Sequence, residues 1–208
     1  MHPKYNQAMT LLEVMISMTV IAVVMAMAMT GGVDLYKKYI MEKGYRNMHA
    51  DVRRSLALIN RDARFATVVT NGPGGVPFSA TNLCLFIQGT NQTTPSVSRN
   101  RVVQYALTPV FYIDRTNNML VRKEWWGTSA GVVNLASNPV STIQLTLSNH
   151  SVRTKDEFFS LYKKPGQPCI ASDFPLAAEV RCYMELENQI LANITTDRIQ
   201  VRVQLRNK

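Results

Sequence analysis

Hydrophobic and polar positions divide the chain into three stretches of different period. From Val14 to Val33, twenty consecutive residues (VMISMTVIAVVMAMAMTGGV) carry no formal charge. As a helix rising about 1.5 Å per residue they span roughly 30 Å, the thickness of a bilayer core. Gly31 and Gly32 near the end of this run read as a weak point or kink. Beyond them, Met41, Tyr45, Met48, Val52, Leu56, Ile59 and Ala63 recur at spacings of three or four, which predicts an amphipathic helix continuing to about Ala66.

Past Ala66 the pattern shifts toward period two. Asn71-Gly72-Pro73-Gly74-Gly75 marks a loop, and residues 83–88, 102–107 and 110–114 are short and β-rich. Arg115-Thr116-Asn117-Asn118 reads as a hairpin turn leading into a strand over 119–126, and residues 140–147 alternate. The stretch from Lys163 to Tyr183 reads as loop-rich. The last strand sets Ile199, Val201, Val203 and Leu205 on one face and Arg198, Gln200, Arg202, Gln204 and Arg206 on the other, the pattern of a half-buried antiparallel strand. An antiparallel sheet packed on the second half of one long helix follows, an α+β fold.

Length and charge narrow the function. At 208 residues the chain holds one ordinary domain plus an appendage, too short for a TIM barrel or a two-domain dehydrogenase. The formal net charge of +9 permits an anionic partner or a membrane surface without demonstrating either. On the charged faces of the helix, Lys37, Lys38, Lys43, Arg46, Arg53, Arg54, Arg61 and Arg64 stand against Asp34, Glu42, Asp51 and Asp62. No aromatic residues interleave regularly with these bases, so they read as a solvated face, with nucleic acid as the weaker alternative.

Candidate chemistry is sparse. Gly127-Thr128-Ser129-Ala130-Gly131 matches the G-x-S-x-G elbow of α/β-hydrolases, but the following segment is cut by Pro139. His150 precedes Asp156 and Asp173, the wrong order for that fold. His2, His49 and His150 give no metal-ligand spacing, and the glycines form no phosphate cradle, so neither a metal nor a cofactor is implied. Trp125 and Trp126 adjoin on an expected strand; at most one faces the core, and the other is a candidate contact residue or an ordinary edge aromatic.

The N-terminal run Ala8-Met9-Thr10-Leu11-Leu12-Glu13-Val14-Met15-Ile16 resembles the class III signal of type IV pilins and type II secretion pseudopilins. In that family a short polar leader ends in a small residue, and glutamate is the fifth residue of the mature chain. The resemblance implies cleavage between Ala8 and Met9, N-methylation of Met9, and a register role for Glu13. Ala8 and Met9 stand where the family usually carries Gly and Phe. A carboxylate within an apolar helix costs about 2.5–3.5 kcal/mol at mid-membrane unless it is paired. A new amino terminus at Met9 of a neighbouring subunit would supply that pair. Arg61-Asp62-Ala63-Arg64-Phe65-Ala66 is similar to the end of the long helix in J-type pseudopilins and W-type minor pilins.

The expected organisation is therefore a leader over 1–8, a transmembrane and filament-core helix over 9–32, its amphipathic continuation over 33–68, and a β-rich head over 69–208. The resemblance implies a structural subunit, not an enzyme, with the type IV pilin-like fold. It also implies as partners a prepilin peptidase, other minor pilins or pseudopilins, the major subunit, the inner-membrane assembly platform and inner-membrane lipid. The expected location is the bacterial inner membrane with the head in the periplasm, then a pilus or pseudopilus filament, at its tip. Cys169 and Cys182, thirteen positions apart, are a candidate disulfide worth about 3 kcal/mol, which suits the family's habit of a bridge near the C-terminus; three thiols are the alternative. Cys84 reads as a buried thiol. A competing reading takes Ala26-Met27-Ala28 as a signal-peptidase site, or the whole segment as a plain anchor, and makes the rest a periplasmic binding domain.

Overall fold

The computed structural model describes residues 10–90, 99–112, 115–127, 132–146, 150–152, 158–190 and 193–205. Two compact units divide at Lys43 and Gly44. The principal helix, α1, runs over Leu11–Phe65. It passes Gly31 and Gly32 without interruption, against the expectation of a weak point. Two glycines cost about 1 kcal/mol each relative to alanine, and a helix of 55 residues absorbs that.

In the first unit the apolar residues of α1 are uncovered: Leu11, Met18, Met27 and Met29 are each more than two-thirds exposed. In the second unit the same helix buries one face, through Met48, Val52, Ser55, Leu56, Ile59, Asp62 and Ala63. These positions repeat every three or four residues and so form one stripe.

Among its described residues the second unit adds ten strands, all paired antiparallel. β1 (Val68–Val69), β2 (Asn82–Thr90), β3 (Arg99–Tyr112), β4 (Arg115–Trp126) and β5 (Ser141–Gln144) form a first sheet in that order. β6 (His150–Val152), β7 (Phe159–Lys164), β8 (Gln167–Pro168), β9 (Glu179–Ile190) and β10 (Asn193–Gln204) form a second, in the order β10-β9-β7-β8, with β6 sharing one edge of β9 with β7. One core joins both sheets to the helix stripe. Leu83, Leu85, Ile87, Val103, Tyr105 and Leu120 come from the first sheet, and Phe159, Leu161, Val180, Met184, Leu186 and Val203 from the second. This is the α+β, type IV pilin-like architecture expected from the chain.

Several local expectations change. Residues 115–118 are not a turn but the start of β4, paired with Pro109 to Tyr112 of β3; the residues that join the two strands, 113 and 114, lie outside the described residues. Pro109 does not split β3, because the ladder to β2 ends at Ala106, so its missing N–H forfeits no bond on that side. The expected loop between Lys163 and Tyr183 contains the tight turn into β8, where Gly166 takes φ +81° after Pro165, and then β9. The last strand is as expected: Val203 and Leu205 are buried, Ile199 and Val201 half-buried, and Arg198, Gln200, Arg202 and Gln204 exposed. Arg206 lies outside the described residues.

Candidate functional site

The N-terminal segment is the candidate site, and its residues are placed by the start of α1. Thr10 precedes the first helical turn, and its Oγ1 accepts the backbone N–H of Glu13 at 3.3 Å. This is one half of a Thr-x-x-Glu capping box, which satisfies an amide that the helix itself leaves unpaired. The sequence carried that signal in Thr10-Leu11-Leu12-Glu13, where the family resemblance drew attention to the glutamate alone. Glu13 is exposed and is the acidic residue of the first turn, where a carboxylate also complements the helix dipole. Ala8 and Met9, the expected cleavage and methylation residues, lie outside the described residues.

The hydroxyls within the apolar run are satisfied inside the helix. Ser17 Oγ donates to the Glu13 carbonyl at 2.8 Å. Thr19 Oγ1 reaches the carbonyls of Met15 and Ile16 at 3.1 and 2.8 Å. Thr30 Oγ1 reaches those of Ala26 and Met27 at 3.1 and 3.0 Å. Such back-bonding lets Ser and Thr sit in a hydrocarbon environment without water.

A second cluster, absent from the sequence reading, lies where the end of α1 meets the first sheet. Asp62, expected on the solvated face, is fully buried. Its Oδ2 accepts the Tyr105 hydroxyl at 2.7 Å and Arg122 Nε at 2.8 Å. Its Oδ1 accepts Arg61 Nε at 3.1 Å and lies 3.6 Å from Arg101 Nη2. Glu124 closes the ring, accepting Arg101 Nη1 at 2.9 Å and Arg122 Nη1 at 2.7 Å. Alternation in the strands brings these groups together: residues 101, 103 and 105 of β3 share a face, and the register sets Tyr105 beside Arg122 and Val103 beside Glu124. Burial, then the Asp62 charge, pushes the Tyr105 hydroxyl well above its ordinary value of 10.0. Burial alone lowers Arg122, but Asp62, Tyr105 and Glu124 together hold it above its usual range.

Among the described residues, two histidine–aspartate contacts link the helix to the second sheet. His49 Nδ1 lies 2.8 Å from Asp197 of β10, and Asp51 lies 2.7 Å from Nδ1 of His150 on β6. His150, the histidine weighed for a hydrolase, is thus fully buried at a packing contact. Ser129 lies outside the described residues. Trp125 is buried, its Nε1–H donating to the Ser137 carbonyl at 2.9 Å, while Trp126 is half-buried beneath the Arg101 guanidinium, 5.6 Å from its ring centre. Among the described residues no group of three or more His, Cys, Asp or Glu side chains is placed to hold a metal ion.

Cys169 and Cys182, the candidate disulfide, stand as two thiols in the structure, as does Cys84. Cys182 is an inward residue of β9 set opposite Phe159 and Val201, so it packs as a small core hydrophobe. Burial pushes its thiol above the ordinary range and that of Cys84 up to about 12. Cys169 is half-buried and is held by its backbone N–H to the Leu161 carbonyl at 2.8 Å.

Residues 3–29 match the family model of the prokaryotic N-terminal methylation motif. No curated protein and no solved structure matches the chain. The motif, together with a long apolar helix, supports a type IV prepilin-like protein, and so a structural subunit in place of an enzyme.

Proposed function

We propose that this prepilin-like chain is a minor pilin or pseudopilin, a structural subunit that helps to initiate or cap assembly of a type IV pilus or type II secretion filament. The carrying observation is an uncovered apolar helix, headed by a lone carboxylate at Glu13, four residues after Met9. Such a segment needs lipid or neighbouring helices to cover it, and Glu13 needs a cation. In the proposed cycle the helix rests in the inner membrane with the head in the periplasm. Prepilin peptidase cuts after Ala8 and methylates Met9, and the assembly platform then moves the helix into a bundle with the major subunit and other minor subunits. There the Met9 amine of a neighbour neutralises Glu13 and fixes the axial register. The length of 208 residues and the Arg61 to Ala66 run favour a minor subunit.

The test is the N-terminal peptide and intact mass of the protein isolated from its native membranes. An N-methylated Met9 is the expected result. A chain starting at Met29, or an intact Met1, overturns the reading and leaves a secreted or anchored binding domain.

A further inference from the structure

From Gly44 to Phe65, the side of α1 that faces away from the core carries exposed charge of one sign. Between Gly44 and Phe65 its exposed residues include Arg46, Arg53, Arg54, Arg61 and Arg64. At 100° per residue, Arg46, Ala50, Arg53, Ala57, Arg61 and Arg64 fall on one arc, opposite the buried stripe through Val52, Ile59 and Asp62. The row from Arg46 to Arg64 is about 27 Å long. The two carboxylates in this part of the helix are both taken up: Asp51 pairs with His150, and Asp62 is fully buried in the ring with Arg101 and Arg122. Arg61 is half-compensated by its bond to Asp62, with its side chain 46% exposed. Arg53, Arg54 and Arg64 meet no carboxylate among the described residues. Their three guanidinium groups, held on one side of the helix, repel each other, and no ion pair to the sheets among the described residues calls for them.

We infer that this arginine row is a docking surface for an acidic helix of a different subunit. Three observations select that occupant. Guanidinium groups pair with carboxylates in bidentate fashion, so a face with Asp or Glu at matching helical spacing is the complementary partner. Ala50 and Ala57 sit between the arginines and leave the middle of the row flush with the backbone, which lets a second helix approach to ordinary packing distance. The row lies on the same helix, α1, whose first half the proposed function places in a helical bundle, and to that extent the inference rests on that reading. A second copy of this chain is disfavoured, because the same face on both partners sets arginine against arginine. The surface therefore specifies a heteromeric neighbour and limits adjacent copies of this subunit.

The test places a photo-crosslinking amino acid at Ala57 in the full chain in its native cells and maps the adduct by peptide mass. The expected adduct is with a helix of another prepilin-type subunit carrying Asp or Glu within one turn of the crosslink. Arg53→Glu/Arg54→Glu/Arg64→Glu lowers its yield at least tenfold, and reversing the partner's carboxylates to Lys restores it. Arg53→Gln/Arg64→Gln, which removes charge without adding any, moves the yield in the same direction and guards against loss of folded protein. An adduct with a second copy or with nucleic acid, no adduct, or a yield indifferent to the arginines overturns the inference. The mature N-terminus is read on the same material. A Met9 start without the adduct removes the docking surface alone, and an acidic-helix adduct on a chain starting at Met1 removes the pilin reading alone.

Discussion

Asp62 and its partners have a cost that their geometry reveals. Taking two carboxylates and two guanidinium groups out of water is expensive, and a closed ring of this kind does little more than offset that expense. Arg101 Nε and Arg122 Nη2 are buried without a hydrogen-bond partner among the described residues, which trims the gain further. The ring instead specifies one seating of α1 on the first sheet, because any slip leaves a buried charge unpaired. Asp62→Ala is accordingly expected to destabilise the detergent-solubilised protein by about 3–5 kcal/mol in urea unfolding. Tyr105 adds a pH signature. Its hydroxyl is raised in the folded state, so the folded state holds the proton more tightly than the unfolded chain. Its contribution is therefore complete below the ordinary value of 10.0 and is lost as pH rises beyond it. Urea midpoints followed across that range are expected to fall more steeply for wild type than for Tyr105→Phe; equal slopes would exclude the argument.

At the scale of elements, α1 presents two faces that the same substitution chemistry tells apart. Ile59 is fully buried in the core, so Ile59→Ala is expected to cost about 2–5 kcal/mol. Ala57, two residues away and exposed, is expected to accept Leu within about 0.5 kcal/mol in the same assay. The helical period of Met48, Val52, Leu56, Ile59 and Ala63 was legible from sequence because those side chains are apolar. Asp62 sits on the same stripe and was misplaced, since a charged residue signals burial only when its partners are known. Those partners, Tyr105 and Arg122, are 43 and 60 residues distant. β10 was legible for the same reason as the helix, with apolar and charged positions in strict alternation. β9 alternates as cleanly, through Val180, Cys182, Met184 and Leu186, but treating Cys182 as one end of a loop bridge hid the period. Arg115 to Asn118 show the limit of turn chemistry: polar residues open β4 because β3 continues past Pro109 to pair with them.

At the scale of the whole molecule, the uncovered segment and the buried head place different demands on the chain. Among the described residues of 44–208, helix and sheets share one core and cross-helix ion pairs, whereas residues 11–33 satisfy their own backbone and present apolar side chains outward. Glu13→Ala is therefore expected to leave head stability and membrane insertion unchanged and to abolish recovery of the subunit in sheared filaments; undiminished recovery would count heavily against the register role. The hydroxyls of Ser17, Thr19 and Thr30 bear on the same step. Each is already bonded to a carbonyl of its own helix, so moving this segment from lipid to a protein bundle breaks none of their bonds and requires no replacement. The segment is a self-contained solute, indifferent to which oily medium surrounds it. Among its described side chains Glu13 alone carries a formal charge, so if the proposed transfer takes place, its carboxylate is the group whose electrostatic surroundings would change.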